Sequence, residues 1–381
     1  MIFSKKDRKK ETYEPSEPRL GWGWIAIYIF AAVSLIIYIT AIFSESFANF
    51  FTRYPAAAVR AVLSYITYLL PISLAEILLI LLIPAVIAVL VIAYRRYCDT
   101  WKSVLIFAVK LISVAAIIFS LFVWTLGTGY RTTPLGERLG LGSESIDKED
   151  ITETCVILIG LINGLEDEIV YAEDGFSEMP YSYDEMSKKL MTAYGALTES
   201  YDFIPSLYSR VKPVMLSELM TYTHIAGVYS YFTGEANINV TFPDYTLPYT
   251  AAHELAHQRG ISREDEANFI AFLVCSESDD PYIRYSGYVS MLEYLLNAHY
   301  SADQSEEHAD YKALYSTLSD KVRTEQKAYY DFYQKYADNI AASVSGAVNN
   351  SYLQSQGTAG TVSYSLAVEL AVRYFAKSID T

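Results

Sequence analysis

Cysteine is scarce. The 381 residues hold three, Cys98, Cys155 and Cys275, and none belongs to a CxxC pair. A thiolate metal site is thereby excluded. Cys155 and Cys275 either pair, if their part of the chain faces an oxidising space, or stay as two buried free thiols. Histidine is scarce too, with five in all. Basic charge is short beyond the N-terminal third: residues 1–127 carry 12 Lys/Arg against 7 Asp/Glu, and the rest carry 17 against 37. A surface that acidic excludes nucleic acid, whose phosphates need a basic partner, and does not lie flat on anionic lipid. Internal repeats and low-complexity linkers are absent.

Long apolar runs are present, and they crowd into residues 1–127. A bilayer core takes roughly 20 mostly apolar helical residues. Three segments qualify, at about 22–43, 72–94 and 103–126. The first is too long for a signal peptide and lacks a small-residue cleavage site. Residues 56–70 are apolar but interrupted by Arg60 and ended by Pro71, which predicts an interfacial or re-entrant helix; a fourth span there would invert the topology. Basic residues crowd the head (Lys5, Lys6, Arg8, Lys9, Lys10) and the loop after the second span (Arg95, Arg96, Lys102), and are sparse after the first (Arg53, Arg60). The positive-inside rule puts the N-terminus in the cytoplasm and everything after about Thr128 outside it. Lys110 sits near the cytoplasmic end of the third span, where it can snorkel. The expected organisation is a basic N-terminus (1–21), a membrane domain (22–127) and an extracytoplasmic domain (128–381) of a protein of the cytoplasmic membrane, with the bilayer as a partner.

The domain is mainly α by pattern. Helical periodicity is expected at 147–167, 183–201, 212–222, 248–259, 263–276, 281–299, 306–318, 321–348 and 364–377, with a loop at 354–361. Residues 225–242 differ. They alternate, turn at Thr233-Gly234 and alternate again, which predicts a small hairpin. That hairpin either receives substrate as an added strand or is plain structure. Glu235, Asn237 and Asn239 either line the cleft or satisfy turn backbone.

The chemistry lies in His253-Glu254-Leu255-Ala256-His257. Helical positions i and i+4 share a face, so both imidazoles can reach one ion. Zinc takes such nitrogens in a tetrahedral site with one position open to water. Glu254, one place on, can reach that water as general base. Thr246 and Pro248 open this helix and Gly260 closes it. Its small apolar face (Ala251, Ala252, Leu255, Ala256) implies burial. A third ligand is expected in Ser262-Arg263-Glu264-Asp265-Glu266, where Ser262 and Asp265 read as a capping box. Acidic residues also belong in a first turn without any metal, so the residues alone leave the ligand open.

Glu264-x-x-Ala267-Asn268-x-x-Ala271 after HExxH resembles the glutamate helix of gluzincin-type peptidases, which include the CAAX prenyl protease group and repressor-cleaving antitoxin peptidases. The resemblance implies a zincin-like domain, Glu264 as third zinc ligand with Glu266 as runner-up, and Asn268 as its hydrogen-bonded support. The departure is the short connection from His257 to Glu264. The whole chain also resembles an uncharacterised family of bacterial membrane proteins, through Tyr130-Arg131-Thr132-Thr133-Pro134-Leu135, Gly234-Glu235-Ala236-Asn237-Ile238-Asn239, Leu247-Pro248-Tyr249-Thr250-Ala251-Ala252 and Arg284-Tyr285-Ser286-Gly287-Tyr288. That resemblance supports fold and topology and implies no substrate.

For an oxyanion donor the candidates are Tyr285, then Tyr288 and Arg284. His224, His299 and His308 have no spacing partner. The expected function is a membrane-anchored zinc metallopeptidase acting on an unspecified peptide or protein. The alternatives are a membrane sensor whose peptidase-like site binds metal without turnover, and a purely structural zinc site, which needs a fourth protein ligand.

Overall fold

The computed structural model describes residues 21–97, 100–337, 339–358 and 366–379. The basic head, Cys98 and part of the 354–361 loop lie outside them. Among the described residues, three helices are long and apolar enough to cross a membrane: α1 (Trp22–Phe43), α4 (Leu74–Tyr97) and α5 (Trp101–Thr125). This suggests a membrane protein. Between α1 and α4 come α2 (Glu45–Arg53) and α3 (Pro55–Tyr68). The 14 residues of α3 reach about 21 Å at 1.5 Å per residue, short of a roughly 30 Å hydrocarbon core. It is no fourth span. Trp124 donates its indole N–H to Ser34 (3.1 Å) and stacks on Phe30, fixing α5 against α1. Lys110 donates to Tyr97 and lies over the Trp24 ring, so its charge is met by hydroxyl and aromatic faces.

Beyond the spans come α6 (Leu135–Arg138), α7 (Lys148–Leu165), α8 (Tyr183–Ser200), α9 (Ser217–Thr221), α10 (Leu247–Gln258), α11 (Glu264–Ser276), α12 (Pro281–Ala302), α13 (Ala309–Tyr315), α14 (Asp320–Gln334), α15 (Ile340–Ser355) and α16 (Leu366–Ile379). Helices α7, α10, α11, α12 and α16 enclose one apolar core. Local signals explain several starts. Asp147 and Asp150 form a reciprocal capping box on α7, and Asp280 caps α12 ahead of Pro281. Cys155 and Cys275 are both buried and free, so no disulfide joins them.

A three-stranded sheet of β1 (Lys212–Pro213), β2 (Gly227–Ser230) and β3 (Glu235–Ile238) runs in the order β1-β3-β2. The expected hairpin is β2–β3, with Gly227 opposite Ile238 and Ser230 opposite Glu235. Its turn residue Gly234 has φ +73°, and a Cβ there would come within 2.7 Å of Leu63 in α3. Only glycine fits both demands.

Several expectations are corrected. The helix expected at 212–222 is a strand residue pair followed by the short α9, because Lys212 and Pro213 pair in parallel with β3. The helix expected at 321–348 is two, divided where Asn339 accepts from the N–H of Ala342 and starts α15. At 306–318 the positive φ of Glu307 and His308 delays the α-helix to Ala309. Ser262 is no helix cap; its hydroxyl donates to the carbonyl of Leu126 (2.7 Å), and α11 starts from Arg263 without a side-chain cap.

Domain and spans are joined by charged side chains set on helix ends. Glu235 accepts from the N–H groups of Leu74 and Ala75 at the start of α4 (2.9 and 2.8 Å). Glu76 accepts from Met215 and Leu216 beyond β1 (2.9 and 2.8 Å). Lys212 donates to the carbonyls of Thr67 (2.8 Å) and Leu70 at the end of α3. Each charge meets the complementary end of a helix dipole or free backbone groups.

Candidate metal centre

Helix α10 is buried along nearly its whole length, which its alanines permit. It ends where the N–H of Ile261 returns to the carbonyl of Ala256 (3.1 Å) with Gly260 at φ +95°, a left-handed termination. The chain then reverses into α11 within five residues. The first residue of α11 is Glu264, and the turn delivers its carboxylate to the histidine face. Glu264 Oε2 lies 3.2 Å from His253 Nε2 and 3.6 Å from His257 Nε2. The donor atoms of all three lie within 4.8 Å of one another.

The ring orientations suit a cation. His257 Nδ1 is 2.7 Å from the carbonyl of Ile261. A carbonyl only accepts, so a proton sits on Nδ1, and Nε2 is the atom that faces Glu264 and can carry either a proton or a metal ion. His253 Nδ1 is buried and finds no partner among the described residues. Burial raises the Glu264 carboxyl, but the two imidazoles outweigh it and hold the group well below the usual carboxylate range. Burial lowers His257, and the Glu264 carboxylate overrides it to lift the ring to about 9. Two imidazoles sharing one buried carboxylate is an arrangement a divalent cation satisfies, since it replaces the protons as the positive charge.

Glu254 is buried beside this cluster without joining it. Its environment pulls both ways: burial pushes the carboxyl up, while the imidazoles and the backbone N–H of Tyr229 draw it down. Strand β2 comes this close because it contains Gly227, where a Cβ would lie 2.6 Å from Glu254 Oε1. The Tyr229 ring is 6.5 Å from that of His257. It belongs to an aromatic group with Leu126 and Tyr130, flanked by Phe122, Tyr231 and Tyr352.

The other predicted residues are elsewhere. Glu266 accepts from the N–H of Leu135 (2.8 Å) and pairs with Arg138 and Arg263, so it is engaged away from the cluster. Tyr285 is corrected: it is fully buried, donates its hydroxyl to Glu325 and accepts from Tyr171. Arg284 donates to the carbonyl of Ser278, and Tyr288 packs near Phe272. Asn268 is buried in α11, its carbonyl accepting from Tyr249. Asn237 and Asn239 donate to backbone carbonyls of their own hairpin and its approach. Among the lone histidines, His224 bonds the carbonyl of Tyr336 and His308 stacks on Tyr300.

In the sequence Arg60 is an interruption of an apolar run and one of two basic residues after the first span. It is buried to 1% exposure. Its guanidinium donates to the carbonyls of Thr125 (2.9 Å), Thr52 (2.8 Å) and Arg259 (3.4 Å). The sequence signal available was a single arginine in an otherwise uncharged helix.

Fold and site together define, among the described residues, a helical protein with three candidate membrane spans and one His-His-Glu cluster gathered on two adjoining helices. The chain belongs to the family described as a protein of unknown function (DUF3810), which matches residues 51–372. That range takes in two of the three spans and the whole cluster. No curated protein and no solved structure matches the chain.

Proposed function

We propose that this chain is a membrane-anchored zinc metallopeptidase with a zincin-like domain. The observation that carries the reading is the convergence of His253, His257 and Glu264 with Glu254 set beside them, not among them. Three protein ligands leave the open position that a catalytic zinc site keeps and a structural one fills. The donor set fits zinc: two imidazole nitrogens, one with its tautomer fixed by Ile261, and a single carboxylate. Zinc held there would lower the pKa of water and polarise a peptide carbonyl.

The chain's own residues supply the rest. Glu254, buried beside the cluster, takes a proton from the attacking water and passes it to the departing amine. The backbone of β2 at Gly227 packs directly against the carboxylate. β2 is an outer strand of the sheet, and its edge lies along the site, so an extended peptide can be held by strand addition. The basic head supports an N-terminus in the cytoplasm. The domain adjoins the ends where α1 and α5 finish and α4 begins, so it would lie outside the cytoplasmic membrane.

The test compares the full chain with Glu254→Gln. Zinc in both, with peptide-library cleavage by the wild type alone, is the expected result. Zinc in both and cleavage in neither favours a metal-binding sensor. Absence of zinc from both rejects either reading.

A further inference from the structure

The site is fastened to the outer end of a span. Ser262, two residues before Glu264, bonds the carbonyl of Leu126, the residue that follows α5. Arg60 ties the carbonyl of Thr125, the last residue of α5, to that of Arg259, two residues after His257. The aromatic group beside His257 begins in α5 itself, with Phe122. A domain on a flexible stalk samples bulk solution. Here the His253, His257 and Glu264 cluster is held next to the end of α5.

Helix α15 points the same way. Its 16 residues contain no Asp, Glu, Lys or Arg, whereas α14 before it carries six. Ile340, Val344 and Val348, four residues apart and hence on one face, are 82%, 57% and 64% exposed. The next residue in that series, Tyr352, packs edge-on against Phe122 and Tyr130 and pairs its hydroxyl with that of Tyr130 (3.2 Å). Just beyond the helix, Gln356 accepts from the Tyr38 hydroxyl of α1 (3.0 Å). Tyr38 lies about 7.5 Å before the end of α1, at 1.5 Å per residue. The C-terminal end of α15 is thus tied to the flank of α1. An uncharged helix anchored there, with an exposed aliphatic stripe along the turns before the anchor, fits lipid. The strongly acidic remainder of the domain is kept off an anionic surface by its charge.

We propose that the cleft is served from the membrane surface, with α15 seated in the outer leaflet beside it, and that its substrate is a polypeptide anchored in the same bilayer and cut close to where it leaves the lipid. This rests on the peptidase reading. Two measurements on the full chain in phosphatidylethanolamine/phosphatidylglycerol vesicles test it. In the first, a mixed-sequence peptide library is supplied either free in solution or fused to a single hydrophobic helix in the same vesicles. Helix-borne sequences should be cut faster by at least about tenfold, because anchoring raises the local concentration, and the cuts should cluster near the membrane. Free library cleaved as fast as anchored library overturns the inference and leaves the peptidase reading intact. Cleavage of neither removes the peptidase reading and this inference with it. In the second, spin labels on Val344→Cys and Val348→Cys should be reached by oxygen dissolved in lipid and shielded from a water-soluble relaxant. Labels open to the water-soluble reagent overturn the seating of α15 whatever the cleavage result.

Discussion

Arg60, in the short helix between the first two spans, donates to the backbone carbonyl of Arg259 at the end of the helix that carries both histidines. The same guanidinium caps the end of the third span at Thr125. One buried cation therefore sets the helix of the two histidines against the three candidate spans, across sequence separations of 199 and 65 residues.

Replacing Arg60 with Met is expected to leave three buried carbonyls short of a donor. Each costs about 1–3 kcal/mol, so the melting temperature in detergent should fall and zinc affinity with it. Arg60→Lys should recover only part of the loss, since an ammonium cannot reproduce the planar fork. Equal melting temperatures for all three proteins would show that the tie contributes nothing.

Gly227→Ala separates catalysis from folding. The added Cβ would lie 2.6 Å from Glu254 Oε1 and 2.8 Å from both Glu254 Cγ and Thr250 Cγ2. Both side chains must shift, so the melting temperature is expected to fall modestly with zinc retained, while peptide cleavage falls steeply. Gly260→Ala differs: the residue sits at φ +95° and the Cβ would lie 2.6 Å from Arg60 Nη2. The backbone strain alone is about 1–2 kcal/mol, and this variant should lose both stability and zinc. Melting curves with zinc analysis on the two variants distinguish these outcomes.

Glu264 and Glu266 differ by two positions and by role. Glu264→Gln should weaken zinc binding by more than the roughly 10–100-fold typical of residues that only support a ligand, with the fold retained. Glu266→Gln should keep zinc but lower the melting temperature, because Glu266 holds Leu135, Arg138 and Arg263 together. The reverse pattern in a zinc titration would assign the third ligand to Glu266.

Much of the site was legible in the sequence because its logic is local. His253 and His257 face one way by helical spacing alone, and Glu264 follows across a turn that Gly260 marks. The spans were legible from length and hydropathy, and their observed bounds differ from expectation by only a few residues. Long-range relations were not legible. Nothing in residues 70–80 announces that Glu235 will cap α4, and Arg60 finds its carbonyls only once three distant segments meet. Tyr285 failed as a candidate because proximity in sequence to α11 does not say which face of α12 a tyrosine occupies; Glu325, on α14, settles that instead. The break at Asn339 was missed because helical periodicity resumes after the capping asparagine; the abrupt loss of charge from α14 to α15 was the signal that could have marked it.

The most direct test is metal content and hydrolysis measured together on the purified full chain, wild type against Glu254→Gln. The account predicts stoichiometric zinc in both, zinc-dependent cleavage of a peptide library by the wild type that a chelator abolishes and added zinc restores, and a rate lower by about 10²–10⁴-fold in the variant. Cleavage that survives both the chelator and the Glu254→Gln substitution would contradict it.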